Sequence, residues 1–106
     1  MPSLAQIEAL LAEDPTDVFL RYALAMELDK QGDHDASLTG LRTLAGENPP
    51  YIPAFFMAGQ QLTRLGRLDE ARAMLRDGIT AADASGDAHA AREMREFLSG
   101  IGRLGE

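Results

Sequence analysis

The chain repeats a pattern of turn-forming residues with a period of 34 residues. Displacing the sequence by this period superimposes three pairs: Pro15 and Pro49, Gly32 and Gly66, Asp35 and Asp69. Matching glycines and prolines carry more weight than matching leucines, because they fix where the backbone turns. A repeat of this length indicates stacked units, each too thin to bury its apolar face alone.

Each period divides into two predicted helices. Residues 17–30 contain no Gly or Pro and are rich in good helix formers, and Gly32 ends this segment because glycine adopts the left-handed conformation easily. Asp33 or Asp35 can cap the next helix, at about 35–45. The second period follows the same plan, with helices at about 52–65 and about 69–84 on either side of Gly66.

Two flanking segments extend the pattern. Residues 3–13 have apolar side chains at helical spacing behind the potential cap Ser3, and residues 87–99 carry another apolar stripe. The glycine-rich tail, residues 100–106, is expected to fray. The sequence therefore predicts one all-α domain, 1–106, of about six helices, divided as follows: an N-terminal half-pair helix 3–13, a first repeat 17–50, a second repeat 51–84 and a C-terminal capping helix 87–99.

The first helix of each repeat is apolar on two sides, whereas the second helix is amphipathic, as expected of an outer helix. The additional stripe of the first helices contains Phe19, Tyr22, Met26 and Phe56. Three interpretations of this stripe are open. It is core covered by the terminal helices, a groove for a peptide, or a surface for self-association.

The second period resembles the tetratricopeptide repeat family. The hallmarks of this family are a 34-residue helix–turn–helix unit, a small residue where the paired helices touch, a turn glycine, an alanine early in the second helix and a closing proline. The matching positions are Phe55, Ala58, Gly59, Leu62, Gly66, Ala71, Leu75 and Gly78. The sequence departs from the family pattern at Arg21 and Ser37 in the first period and at Asp83 in place of the closing proline.

The resemblance implies a right-handed superhelical stack of antiparallel helix pairs, with the first helices lining a concave groove. It also implies a protein–protein interaction module, since such a groove accepts a peptide or partner protein. The implied groove residues are Phe19, Tyr22, Met26, Phe56, Gln60 and Arg64, with Met94 and Phe97 as further candidates. The lysine–asparagine clamp with which some relatives hold a partner's terminal carboxylate is not matched here. The alternative function is a homo-oligomer, such as a homodimer, that buries the same stripe.

Composition narrows the remaining function classes. A formal net charge of −7 argues against a nucleic-acid partner, which needs a basic surface. The chain has no cysteine, and its two histidines, His34 and His89, are predicted in a turn and at a helix start, so no metal, cofactor or catalytic site is predicted and the protein is not expected to be an enzyme. No apolar run approaches a membrane span, and no signal peptide is apparent, so a cytoplasmic location is expected.

Overall fold

The computed structural model describes residues 2–104, and within this range it contains six α-helices and no strand. The helices are α1 Leu4–Glu13, α2 Val18–Lys30, α3 His34–Ala45, α4 Ile52–Arg64, α5 Leu68–Ser85 and α6 Ala88–Leu104. Each helix packs against the next along the chain, and α4 also touches α6. The predicted all-α stack of adjacent helix pairs is confirmed.

The turns inside the two hairpins, α2–α3 and α4–α5, are built in the same way. Gly32 and Gly66 have positive φ angles of 87° and 76°. The N–H of the residue after each glycine donates back across the helix end, from Asp33 to the Leu28 carbonyl and from Arg67 to the Leu62 carbonyl, both at 2.9 Å. This pattern satisfies carbonyls that the helix end would otherwise leave unpaired. The predicted bends therefore lie where the glycines placed them.

Side chains cap four of the helix starts, those of α1, α2, α3 and, through Asp87, α6. Ser3 accepts a hydrogen bond from the Gln6 N–H, and the Gln6 side chain accepts one from the Ser3 N–H, which completes a capping box. Asp17 caps α2. Asp33, rather than Asp35, caps α3 by accepting from the Ala36 N–H. Helix α5 has no such cap, and its acidic first turn complements the helix dipole instead.

Helix α6 continues beyond its predicted end at residue 99. Gly100 and Gly102 lie within it, so the prediction of a frayed tail is wrong for residues 100–104, while residues 105–106 lie outside the described part. The reason is tertiary packing. Ile101 is 1% exposed in the main core, and its carbonyl accepts a hydrogen bond from Arg72 Nη2 at 3.5 Å. Burial of this side chain overrides the weak helix propensity of the two glycines.

The core runs between the paired helices and holds α4, α5 and α6 together. Its largest fully buried apolar side chains in these helices and α3 are Leu41, Leu44, Leu62, Leu75, Met94 and Ile101. Helices α4 and α5 approach closely at Gly59, where an added Cβ would lie 2.7 Å from Leu75 Cγ and Cδ2. This contact matches the small-residue position expected from the sequence.

Candidate functional site

A cavity of about 340 Å³ opens between α4 and α6 and is bounded on a third side by α2. Helices α4 and α6 both pack on α5 and contact each other, so their N-terminal halves form two neighbouring walls. The cavity is lined by Tyr22 from α2, by Ile52, Pro53, Phe56, Met57 and Gln60 from α4, and by Asp87, His89, Ala90, Glu93 and Met94 in and just before α6.

Two aromatic pairs hold the walls of the cavity in place. The rings of Phe56 and Phe97 meet edge to face, with centroids 5.6 Å apart and planes at 74°. Tyr22 makes a similar contact with Tyr51, at 5.4 Å and 64°. Edge-to-face contacts of this kind add stabilisation beyond the burial of the rings. Phe56 is therefore fixed from α6, and Tyr22 from the segment that leads into α4.

The Tyr22 side chain remains neutral at ordinary pH. Burial raises the pKa of Tyr22, and the nearby Tyr51 raises this pKa further. A phenol in this state offers one hydrogen-bond donor and one acceptor without a charge. Its role in the cavity is therefore that of an apolar wall with a polar tip.

The rim on the α6 side is acidic. The Asp87 carboxylate accepts a hydrogen bond from the Ala90 N–H through Oδ1 at 3.1 Å, as an N-cap side chain does. Glu93 Oε1 lies 2.7 Å from His89 Nε2, and Arg92 Nη2 lies 3.3 Å from the other ring nitrogen of His89. None of the lining residues is a lysine or an arginine.

The six predicted groove residues are not all brought together. Tyr22, Phe56 and Gln60 line the cavity, and so does the further candidate Met94, while Phe97 supports it through Phe56. Met26 is half-buried but lies outside the lining. Phe19, near the start of α2, is 70% exposed and also lies outside it. The binding role of these residues stays a prediction.

Arg64 is held by an ion pair between the hairpins. Its Nη2 lies 3.0 Å from Asp29 Oδ2, and the other oxygen of Asp29 lies 2.8 Å from His34 Nδ1. The Asp29 side chain is only 12% exposed, so this carboxylate is enclosed by its two partners. Arg64 thus joins the end of α4 to the end of α2.

Sequence reasoning missed part of the cavity wall. Asp87, His89 and Glu93 are not among the predicted groove residues, although Met94 and Phe97 of the same segment are further candidates. The signal was present, since His89 and Glu93 are four residues apart and lie on one helical face. Treating this segment as the first helix of a further pair would have placed the same face toward α4.

The described residues lack two other kinds of site. No group of three or more histidine, aspartate or glutamate side chains among them is arranged to hold a metal ion. None of the helices within residues 2–104 combines the length and the apolar character needed to cross a membrane.

Comparison with known proteins gives two similar chains, while no protein-family model matches. The TPR repeat-containing protein PA0015 of Pseudomonas aeruginosa is 27% identical over 97 residues, which span 92% of each chain. The solution structure of protein BPP2914 from Bordetella parapertussis superimposes with a TM-score of 0.82 and 28% identity, over 98% of this chain and 90% of that one. The chain is thus similar, over nearly its whole length, to a tetratricopeptide repeat-containing protein, which suggests a tetratricopeptide-like family and a protein-interaction role in general terms.

Proposed function

We propose that this chain is an interaction module that binds a segment of another polypeptide on the face formed by α2, α4 and α6. The observation that carries the proposal is the apolar cavity between α4 and α6, whose lining comes from three helices. A cavity of about 340 Å³ lies near the lower end of the range of roughly 300–1,000 Å³ for ligand pockets. It is therefore suited to about one or two anchoring side chains of a partner rather than to a large cofactor.

Burial of these anchors would supply the affinity. Each Å² of apolar surface removed from water contributes about 25 cal/mol before the cost of ordering the partner. Met57 and Met94 in the lining are flexible and polarisable, so they can adjust to anchors of different shape. The amide of Gln60 adds a donor and an acceptor that can direct the partner's backbone.

A binding role, rather than a catalytic one, is supported by the description of the similar protein from Pseudomonas aeruginosa as TPR repeat-containing. The acidic rim gives no arrangement of a nucleophile with a base and an orienting group. We place the module in the cytoplasm on the ground that the chain contains no cysteine, as is common in a reducing compartment.

Selection of random peptides on the immobilised chain tests the proposal. A selected peptide, titrated into the isotopically labelled chain, is expected to shift backbone amide NMR signals in residues 52–60 and 88–97 and to leave α3 and the outer face of α5 unchanged. Phe56→Glu is expected to abolish binding, because it places a charge in the apolar wall.

The matched control is Ala73→Glu, which introduces the same charge at an exposed position of α5. Circular dichroism must show that both variants are folded before affinities are compared. Failure to select any peptide, or a peptide footprint on α3 and α5, would show that this face is not the binding surface.

One observation favours the alternative of self-association. Phe19 is 70% exposed and Leu10 is 48% exposed, so α1 and the start of α2 also present apolar surface. A dimer by light scattering whose mass falls to that of a monomer in Phe19→Ser would support this alternative.

A further inference from the structure

We infer that the partner segment is basic as well as apolar. In this arrangement an apolar side chain enters the cavity while a neighbouring lysine or arginine lies against the carboxylates of Asp87 and Glu93. The inference rests on the proposed function and deepens it, because it states the chemistry of the segment that the cavity selects.

The permanently charged groups that line the cavity are acidic. Its lining includes two carboxylates, Asp87 and Glu93, and no lysine or arginine. The one lining group that can become cationic is His89, which lies 2.7 Å from Glu93, and the permanently charged Arg92, 3.3 Å from the other ring nitrogen of His89, lies outside the lining. A cationic partner thus meets attraction at this rim, and an anionic partner meets repulsion.

The carboxylates of Asp87 and Glu93 are available to a cationic partner. Most acids that form ion pairs in the described chain are paired with a permanently charged group: Asp29 with Arg64, Glu47 with Arg21, Glu70 with Arg42 and Arg67, and Asp83 with Arg95. Asp87 is exposed and forms no ion pair with the described side chains of residues 2–102, and the ionic partner of Glu93 among them is a histidine, which is charged only when protonated. The rim of the cavity therefore retains negative charge that the fold does not neutralise.

Asp87 and Glu93 differ in their position relative to the dipole of α6. Asp87 caps the start of α6 and lies in the positive end of the helix dipole, which offsets part of its charge. Glu93 lies more than one turn further along, where the dipole is weaker. We expect Glu93 to contribute more of the attraction than Asp87.

The cavity and its rim suit a side chain that is both aliphatic and cationic. Phe56, Met57 and Met94 give the cavity apolar walls directly beneath the acidic rim. Lysine and arginine suit this boundary because their aliphatic stems pack on apolar surface while the charged end reaches the rim. The formal net charge of −7 of the whole chain adds long-range attraction for a cationic partner.

Three amphipathic probe peptides of about 14 residues, roughly four helical turns, test the inference. They share one stripe of leucine and phenylalanine and differ only in their polar positions, which are lysine, glutamine or glutamate. Fluorescence anisotropy is expected to rank the affinities as lysine above glutamine above glutamate. The advantage of the lysine peptide should shrink as salt rises, since salt screens charges at an exposed rim.

Substitutions that each remove one charge distinguish attraction by the rim carboxylates from attraction by the net charge of the whole chain. Glu93→Gln is expected to weaken the lysine peptide about fivefold, and Asp87→Asn about twofold to threefold, because each removes one charge from the rim. Asparagine is a good N-cap, so Asp87→Asn keeps the start of α6. The control Glu96→Gln removes the same charge from an exposed position of α6 outside the lining and should change the affinity by less than about 1.5-fold.

The outcomes distinguish this inference from the proposed function. Equal binding of all three peptides, preference for the glutamate peptide, or equal losses in Glu93→Gln and Glu96→Gln would overturn the basic partner while leaving a peptide-binding groove. Binding of none of the three, together with failure to select any random peptide, would overturn both. The predicted ranking with a loss confined to the rim variants supports the inference.

Discussion

The hairpins α2–α3 and α4–α5 are related by the 34-residue repeat, yet they carry different residues at the positions where Phe55 and Gly78 meet. In the second hairpin the large residue is Phe55 on α4 and the small one is Gly78 on α5, where an added Cβ would lie 2.6 Å from Phe55 Cβ. In the first hairpin the equivalent positions hold Arg21, which pairs with Glu47, and the fully buried Leu44. A glycine is therefore required at this position only in the second hairpin, where Phe55 packs against it, whereas the first hairpin accommodates a leucine because Arg21 is engaged by Glu47.

A second difference concerns polarity. Ser37 in the first hairpin takes the place of Ala71 in the second, and both positions are buried. The Ser37 hydroxyl donates to the Ala25 carbonyl at 2.6 Å, and it lies 3.1 Å from Oε1 of the buried Gln61 on α4. The serine that departs from the family pattern thus has a polar partner on the next hairpin, and the two hairpins are joined through it.

Gly78→Leu is expected to lower the free energy of unfolding more than any other substitution proposed, because a leucine side chain does not fit between α5, Phe55 and Met94. An added Cβ would already lie 2.5 Å from Met94 Sδ and 2.6 Å from Phe55 Cβ, and Phe55 Cβ cannot move without its backbone. We expect a loss of about 3 kcal/mol or more in the free energy of unfolding, measured by urea denaturation. Gly59→Leu should cost somewhat less, since the atoms it meets are the branched end of Leu75.

The control for this prediction comes from the first hairpin. Gly40 on α3 has room for a methyl group, since an added Cβ would lie 3.7 Å from Ala25 Cβ, an ordinary contact. Gly40→Ala should therefore stabilise the chain by about 0.5–1 kcal/mol through the better helix propensity of alanine. Equal stability of Gly78→Leu and the wild type would show that α4, α5 and α6 do not meet as described.

Ser37→Ala is the next largest expected effect and tests the polar difference. It removes the hydroxyl whose single proton is shared between the Ala25 carbonyl and Oε1 of the buried Gln61, which costs about 1–3 kcal/mol. The double variant Ser37→Ala/Gln61→Leu removes both partners and should recover much of the loss, so a double-mutant cycle in urea should show clear coupling. Strictly additive losses would contradict the pairing across the hairpins.

The sequence predicted the parts of this fold that local signals determine. Gly32 and Gly66 fixed the bends because few other residues adopt the left-handed conformation at low cost. It did not predict the extension of α6, which depends on Ile101 reaching a core built by distant residues, nor the partner of Ser37, which lies 24 residues away.

The candidate site also contains residues that local sequence signals predicted and residues whose position depends on distant packing. Tyr22, Phe56 and Gln60 could be chosen from the repeat and the family resemblance, and all three line the cavity. Asp87 and Glu93 were not chosen, because their placement requires residues 87–99 to be treated as the first helix of a further pair, lying across α5 toward α4.

Arg64→Gln should lower the free energy of unfolding only slightly, and it tests a difference between the ion pairs at the ends of α2 and α4. Arg64 bridges to Asp29 in the other hairpin at 3.0 Å, whereas the equivalent Lys30 pairs with Glu27 of its own helix at 3.7 Å. Since the Arg64 side chain is 59% exposed, we expect a loss of less than about 1 kcal/mol, and Lys30→Gln should cost less still. Urea denaturation at low and high salt checks this, because salt should narrow the difference. If Lys30→Gln instead lowered the free energy of unfolding more than Arg64→Gln, the ion pair between the hairpins would not be the more stabilising of the two.

Phe19→Ser should have the smallest effect, although the residue is large and aromatic. In the second hairpin the equivalent position is Pro53, which lines the cavity, but Phe19 is 70% exposed and lies outside it. Truncation of an exposed side chain usually changes the free energy of unfolding by less than about 0.5 kcal/mol, so the melting temperature should be unchanged. The affinity for the lysine peptide should also be unchanged, because the first hairpin reaches the cavity through Tyr22 rather than through Phe19. If melting at several protein concentrations instead shows a loss that grows with concentration, a second copy of the chain covers Phe19, and the exposed aromatic belongs to a dimer interface.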